Sequence, residues 1–264
     1  MLTYTREGLE DDFDTGGYLV FSYVPTWDMY LPSVRLVHTT YNTTSSWPDV
    51  LLGYKELQGL PNATQLSIWP FSNITQEITD LNPYGGRNIY GTLTFHPSIE
   101  LHKRILDIFQ EEFEKIKHIG GQPNVIMHPL SRKTISQMSK NGGNALGLKE
   151  EDGPLVILNF AGRWGREKDD EVFYGAYYKF IGRAEAAAKE MGLWHRFKYV
   201  NYAEGTQDVW SGYGDENLKI LKQIQRKVDP KRVFTKGGLG GGYFKLNGKD
   251  EEIEGVEHQG KSEL

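Results

Sequence analysis

The chain has 264 residues and a mass of 30.1 kDa, with 38% hydrophobic and 25% charged residues. This size and balance predict a globular, soluble chain with a substantial core and exclude an extended disordered one; no apolar run is long enough to span a membrane. The net charge of -5 at pH 7 argues against a nucleic-acid partner, and the absence of Cys excludes disulfides, thiolate nucleophiles and thiolate metal sites.

Strands and helices alternate through the first half of the chain. Residues 17–24 and 34–41 are rich in β-branched and aromatic residues and predict two strands joined by a loop. Ser98 can cap a helix in which apolar residues recur every three or four positions until Gly120. The other elements predicted here are a short helix over about 46–59 and strands over 64–69 and 91–95.

The same alternation continues in the second half. Strands are predicted over 125–128, 155–160 and 197–202, and helices over about 170–191 and 215–228, the last closed by Asp229-Pro230. Hairpin-sized links and intervening helices favour an α+β fold, an antiparallel sheet covered by helices on one face. We expect one substrate-binding-type domain over residues 1–246, followed by a polar, flexible tail over 247–264.

Metal and phosphate motifs are weak in this sequence. None of the seven His residues is spaced from another His or a carboxylate as metal ligands are, so no metal site is predicted. The glycine-rich segment 237–242 resembles a phosphate cradle, but a strand before it and a helix after it are not predicted. We interpret this segment as a turn-forming part of the tail.

Two tyrosines and an asparagine stand close together at the end of the predicted strand 197–202. In a strand, Tyr199 and Asn201 share one face and Tyr202 faces the other, unless a bend brings both phenols to one side. The three residues are either ordinary aromatic packing or a set of hydrogen-bond donors. A phenol of lowered pKa there could also act as a general base.

This segment also carries a family resemblance. Tyr199-x-Asn201-Tyr202, with Tyr213-Gly214, Asn217, Asp229-Pro230 and Val233-Phe234 after it, resembles the C-terminal signature of the berberine-bridge-enzyme-like FAD-linked oxidoreductases of the vanillyl-alcohol-oxidase superfamily. Residues 142–148 and the strand 156–160 resemble the fungal secondary-metabolism branch of that family. The resemblance extends over residues 17–246 and is strongest after Gly142.

The resemblance implies roles for individual residues. Tyr202 and Tyr199 match paired tyrosines that line the family's substrate pocket and in some members assist deprotonation, and Asn201 would stand near the flavin edge. Asn159 falls where many members carry a catalytic Glu, Asp or Gln, and an amide cannot act as a base. Three further residues are candidates for substrate contact, two of them with structural alternatives: Asn144, His128 (or a strand-end polar residue) and Trp164 (or a support for the strand end).

The resemblance implies FAD as cofactor, but it covers the substrate-binding part only. No segment of this sequence matches the family's flavin-binding loops, so we expect the isolated chain to be flavin-free. The apolar surface that packs on the FAD domain in the family should then be exposed and available to an FAD-domain polypeptide or to self-association.

Three functions remain open at this stage. The first is a small-molecule enzyme that supplies the substrate-binding half of an FAD-linked oxidoreductase. The second is a cofactor-independent cyclase or cycloaddition catalyst that uses the tyrosine-lined pocket. The third is a non-catalytic binding protein for a hydrophobic small molecule.

The sequence leaves the cellular compartment open. Its N-terminal residues lack the apolar segment of a secretory signal, yet Asn-x-Thr sequons begin at Asn42, Asn62 and Asn73. The sequons are a weak indication of a secretory precursor.

Overall fold

The computed structural model describes residues 14–40, 47–57, 59, 67–82, 84–231 and 233–234. The glycine-rich segment 237–242, the predicted tail and the sequons at Asn42 and Asn62 lie outside these residues. Asn73 lies within them and is exposed on a helix.

A six-stranded sheet organises the described chain. Its strands are β1 (Thr15–Val24), β2 (Met29–His38), β3 (Arg87–Phe95), β4 (Gln122–Leu130), β5 (Leu155–Trp164) and β6 (Trp194–His195). They lie in the order β2-β1-β4-β5-β3-β6, and each neighbouring pair is antiparallel. The predicted α+β fold with an antiparallel sheet is confirmed.

Six α-helices accompany the sheet in the described part of the chain. They are α1 (Leu52–Lys55), α2 (Phe71–Asp80), α3 (Ile99–Glu114), α4 (Arg132–Gln137), α5 (Asp170–Glu190) and α6 (Asp215–Val228). As predicted, α3 begins after Ser98, whose side chain accepts a hydrogen bond from the Leu101 amide at 3.3 Å. The turn that follows α3 ends at Gly120, which has a φ of 74° that favours glycine. Within the described residues, no helix is both long and apolar enough to cross a membrane.

Helices α3 and α5 pack together on one face of the sheet. Side chains alternate along a strand, so Leu158 and Phe160 of β5 share this face with Leu93 and Phe95 of β3. All four are buried, and they join a core of phenylalanines from the two helices: Phe109, Phe113, Phe173 and Phe180. The same alternation directs Ile157 and Asn159 to the opposite face of the sheet.

The hairpin formed by β1 and β2 is tighter than the sequence suggested. The predicted loop extended past Pro32, whereas Pro32 lies within β2 and pairs with Phe21. An edge strand tolerates proline because its outward N–H has no partner strand, and β2 is at the edge of the sheet. Asp28, with a φ of 48°, completes the turn.

One predicted strand is wrong, and another lies partly outside the described residues. The strand over 197–202 does not form: β6 ends at His195, and Val200–Tyr202 is a short 3-10 turn. The chain leaves the sheet there because Phe197 is buried against Tyr213 and the Arg196 side chain bonds the carbonyls of Gly212 and Gly147. Of the strand predicted over 64–69, the described residues 67–69 are irregular. Helices α2 and α4 were not predicted.

Candidate functional site

Five rings cluster on the sheet face opposite α3 and α5, and we call this cluster the aromatic face. Its members are Tyr18 of β1, Tyr90 of β3, His128 of β4, and Tyr199 and Tyr202 from the loop after β6. The Tyr202 ring is stacked on the His128 ring with centroids 5.3 Å apart, and His128 is 5.4 Å from Tyr18. Tyr199 and Tyr90 stand at right angles to Tyr202, at 5.0 and 6.5 Å. Tyr202 is therefore the centre of the cluster.

A bend brings both loop tyrosines to the same side of the sheet. Residues 200–202 form the 3-10 turn, in which the Tyr202 amide donates to the Tyr199 carbonyl at 3.0 Å. This is the arrangement that the sequence required for the two phenols to act together. Asn201, between them, is exposed, and its amide donates to the Tyr199 phenolic oxygen at 2.9 Å.

Asn159 offers an unused acceptor beside the aromatic face. It is 4% exposed and lies in register with Ile126 of β4 and Thr92 of β3. Its Oδ1 atom is buried and has no hydrogen-bond partner in the part of the chain that the structure describes. Leaving such a group unpaired costs about 1–3 kcal/mol, so an O–H or N–H donor from outside these residues would be favoured there.

His128 is neutral near pH 7. Burial lowers the pKa of its imidazole to about 4, because the charged form would lose its hydration. Its Nε2 atom is buried and unpartnered among the described residues. His128 and Asn159 therefore present polar atoms without charge.

The phenol of Tyr202 is a donor rather than a base. Burial raises its pKa above the ordinary value, and the neighbouring Tyr199 and Tyr90 raise it further. The condition under which Tyr202 could act as a general base, a lowered pKa, is contradicted. At neutral pH its hydroxyl keeps its proton and can donate a hydrogen bond to a ligand oxygen.

Two of the residues predicted to contact substrate lie elsewhere. Trp164 is buried on the helix-covered face, stacked on Phe173 at 4.4 Å, and its indole N–H donates to Asp170 at 2.7 Å. The substrate-contact assignment of Trp164 is corrected on this ground, because the sheet separates it from the aromatic face. Asn144 is exposed, and its side-chain oxygen accepts from the Leu146 amide at 3.0 Å within its own loop.

The sequence reasoning missed two members of the aromatic face. Tyr18 lies in a predicted strand but carries no motif, and Tyr90 stands just before the predicted start of its strand. Both become neighbours of the loop tyrosines only through the order of strands in the sheet. Across the described residues, no group of His, Asp and Glu side chains is arranged to hold a metal ion.

The fold is similar to that of about half of a solved oxidase structure. The solved structure of 6-hydroxy-D-nicotine oxidase from Arthrobacter nicotinovorans superposes with a TM-score of 0.54 at 13% identity, over 86% of this chain and 48% of that one. At this identity the likeness concerns the fold.

Curated relatives carry the comparison to particular proteins. The chain is 34% identical over 193 residues to the FAD-dependent monooxygenase FUP4 of Fusarium proliferatum, covering 70% of this chain and 37% of that protein. It is 35% identical over 170 residues to the FAD-dependent monooxygenase tpcD of Cochliobolus heterostrophus, covering 62% and 33%. The FAD-dependent monooxygenase sdcF of Emericella nidulans is 27% identical over 232 residues, covering 86% and 47%.

These matches relate the chain to the FAD-linked oxidoreductase superfamily and to fungal FAD-dependent monooxygenases in particular. They do not distinguish the berberine-bridge-enzyme-like branch. No protein-family model matches the chain. The chain spans between about a third and a half of the length of these curated relatives.

Proposed function

We propose that the chain supplies the substrate-binding side of a berberine-bridge-enzyme-like, FAD-linked oxidoreductase of fungal secondary metabolism. The observation that carries the proposal is the aromatic face beside the buried, unpartnered Oδ1 of Asn159. The kinship with fungal FAD-dependent monooxygenases gives this surface its chemical context.

The substrate is a hydrophobic, flat molecule with a hydroxyl or N–H donor. Aromatic rings from three strands and one loop supply the contact area, and stacking or edge contacts favour an aromatic partner. Asn159 accepts a hydrogen bond from the ligand, and Tyr202 donates one to it. Because His128 and Tyr202 are uncharged at neutral pH, the surface favours a neutral ligand.

We propose that the same face also contacts the ring of a flavin, which is flat and has both polar edges and an extended aromatic surface. When bound, FAD would supply the acceptor for the electron pair removed from the substrate. This chain would hold the substrate by Tyr202 and Asn159 and exclude water from it. We propose that the contacts to the rest of FAD come from another polypeptide or domain, and that the isolated chain is flavin-free.

Helix α6 offers a surface for that partner. Ile220, Ile224 and Val228 recur every four residues on it and are 48%, 51% and 70% exposed. An apolar stripe of this kind is typical of an interface. We assign it to an FAD-domain polypeptide, because the chain spans at most about half of its relatives' length. Self-association of the isolated chain is the competing occupant.

Two titrations test the proposal. The purified chain is incubated with FAD, gel-filtered and examined by visible absorption, and we expect it to emerge colourless. The chain is then titrated with lumiflavin, the ring without its phosphates, and flavin fluorescence is followed. We expect saturable quenching by the tyrosines, with an affinity about five-fold lower in Asn159→Leu, since one hydrogen bond is worth about 1 kcal/mol.

Matched variants keep this test specific. Asn82→Leu removes an exposed amide at the end of α2, and Tyr84→Phe removes the hydroxyl of a tyrosine that is 98% exposed. Both should bind lumiflavin as the parent chain does, whereas Tyr202→Phe should bind it more weakly. Equal affinity of all four variants would contradict the assignment of the aromatic face.

A cofactor-independent cyclase is the second candidate, and the raised pKa of Tyr202 favours it over base catalysis at the same site. Phenols that keep their protons can polarise an enone or polyene that the aromatic face holds in a folded shape. Turnover of such a substrate without flavin, lost in the Tyr199→Phe/Tyr202→Phe double variant, would identify this activity. Retention of the ligand without conversion would instead identify a binding protein.

A further inference from the structure

One side chain fastens the loop of residues 199–207 to the sheet. The Gln207 Oε1 atom accepts hydrogen bonds from the backbone amides of Thr92 at 2.9 Å and of Glu204 at 3.0 Å. Its Nε2 atom donates to the carbonyl of the same Thr92 at 2.8 Å. A single amide thus satisfies both backbone groups of one strand residue, as an antiparallel partner residue would.

The place where Gln207 binds determines where the loop lies. Strand β6 pairs with β3 at Thr94 and Phe95, and the Gln207 side chain takes over this pairing at Thr92. Thr92 is in register with Asn159 of the next strand. The bonds therefore fix the loop beside the row of the sheet that contains the unused acceptor.

The other contacts of the loop do not replace these bonds. The ring of Tyr202 rests on the ring of His128, but ring contacts allow sliding, whereas hydrogen bonds to a backbone amide and carbonyl are directional. The Thr206 side chain bonds the Tyr178 hydroxyl on α5, which ties the end of the loop to a helix on the other side of the sheet. Within the described residues, the Gln207 side chain joins the loop to both backbone groups of Thr92 on β3 and so sets its register there.

We propose that Gln207 is a positioning residue that holds the tyrosine loop in register on β3 and so keeps Tyr202 stacked on His128. Its importance for substrate rests on the proposed function of the aromatic face. Its effect on the loop does not, and can be measured in the chain alone.

The test follows the imidazole of His128 by NMR in Gln207→Ala and Gln207→Glu. Loss of the Gln207 hydrogen bonds should expose His128. Exposure should raise the pKa of His128 from about 4 towards the ordinary 6.5 and remove the ring-current shift of its protons. Gln207→Glu keeps the acceptor for Thr92 and Glu204 but places an oxygen against the Thr92 carbonyl. While its carboxylate is ionised, above about pH 5, it should therefore release the loop as Gln207→Ala does.

The matched control is Gln137→Ala. The Gln137 amide donates to the Lys133 carbonyl and the Ser136 hydroxyl, both in α4, so its loss should leave the titration of His128 unchanged. An unchanged pKa of His128 in both Gln207 variants would overturn the proposal. Loss of cooperative folding in both variants would overturn it as well, since Gln207 would then be required for the fold as a whole.

The same variants separate this inference from the proposed function. Suppose that lumiflavin fails to bind the parent chain while the His128 titration still responds to substitution of Gln207. That result would support the positioning role of Gln207 and contradict the proposed substrate role of the aromatic face. If lumiflavin binds and the pKa of His128 is the same in the Gln207 variants, the proposed function is supported and the positioning role of Gln207 is contradicted.

Discussion

His128 gives the chain a pH-dependent stability that a single substitution should remove. Its pKa is 6.5 when solvated and about 4 when buried in the fold. A folded-state pKa below the unfolded value means that the neutral form is the one the fold accepts. The contribution is therefore fully present above pH 6.5 and is lost as the pH falls towards 4.

The size of this effect follows from the shift. A difference of roughly 2.5 pH units corresponds to about 3 kcal/mol in the free energy of unfolding. The variant His128→Phe keeps an aromatic ring against Tyr202 and removes both the titration and the unpartnered Nε2 atom. At pH 7 we expect the free energy of unfolding of the variant to be at least that of the parent. At pH 4 we expect it to exceed that of the parent by about 3 kcal/mol.

Urea unfolding at a series of pH values measures the difference. Taking the difference between parent and variant cancels the titrations of other groups, such as His102 and His195, whose pKa values burial also lowers. His118→Phe, at an exposed position in the turn after α3, is the matched control and should retain the parent's pH dependence. Parallel curves for the parent and His128→Phe would refute the argument, because His128 would then be solvated.

Three further predictions concern other parts of the molecule. The Tyr177 hydroxyl is buried and unpartnered among the described residues, so Tyr177→Phe should raise the free energy of unfolding by about 1 kcal/mol in urea; a loss of stability would reveal a partner. Gly147 has a φ of +72°, and a Cβ there would lie 2.0 Å from the Tyr213 carbonyl oxygen, so Gly147→Ala should cost at least about 2 kcal/mol, whereas Gly165→Ala, in open space, should cost little. With its partner absent, the apolar stripe of α6 should make the isolated chain self-associate, and Ile224→Glu should reduce this in sedimentation velocity; the same sedimentation coefficient for parent and variant would contradict a role of the stripe.

Helices that begin at a capping residue or end at a proline were predictable from the sequence. Helix α6 occupies the predicted residues 215–228, because Asp229-Pro230 ends it in any context. Helix α3 follows from its serine cap and its apolar period. The strand over 197–202 failed because its β-rich composition was overruled by tertiary contacts, chiefly the burial of Phe197 against Tyr213.

The site was predictable only in part, for a related reason. The family resemblance singled out Tyr199, Tyr202 and Asn159, and the structure brings the two tyrosines together and places Asn159 on the same face of the sheet. Tyr18 and Tyr90 depend on the strand order β1-β4-β5-β3, which joins segments distant in sequence and has no local signal. Trp164 could have been assigned correctly, since it shares the parity of Leu158 and Phe160 and therefore their buried face.

Unpartnered polar atoms alone do not mark a functional site in this chain. The Tyr177 hydroxyl is as isolated as Asn159 Oδ1, yet it lies under Gly91 in the core, where a Cβ at Gly91 would be 2.0 Å from it. That packing leaves no room for a ligand. The unpaired hydroxyl therefore only lowers the stability of the fold, by about 1–3 kcal/mol. Asn159 lies on the other face, beside a loop held by hydrogen bonds to one strand residue. If a bound ligand supplies the donor there, as we propose, the same cost becomes a source of binding energy.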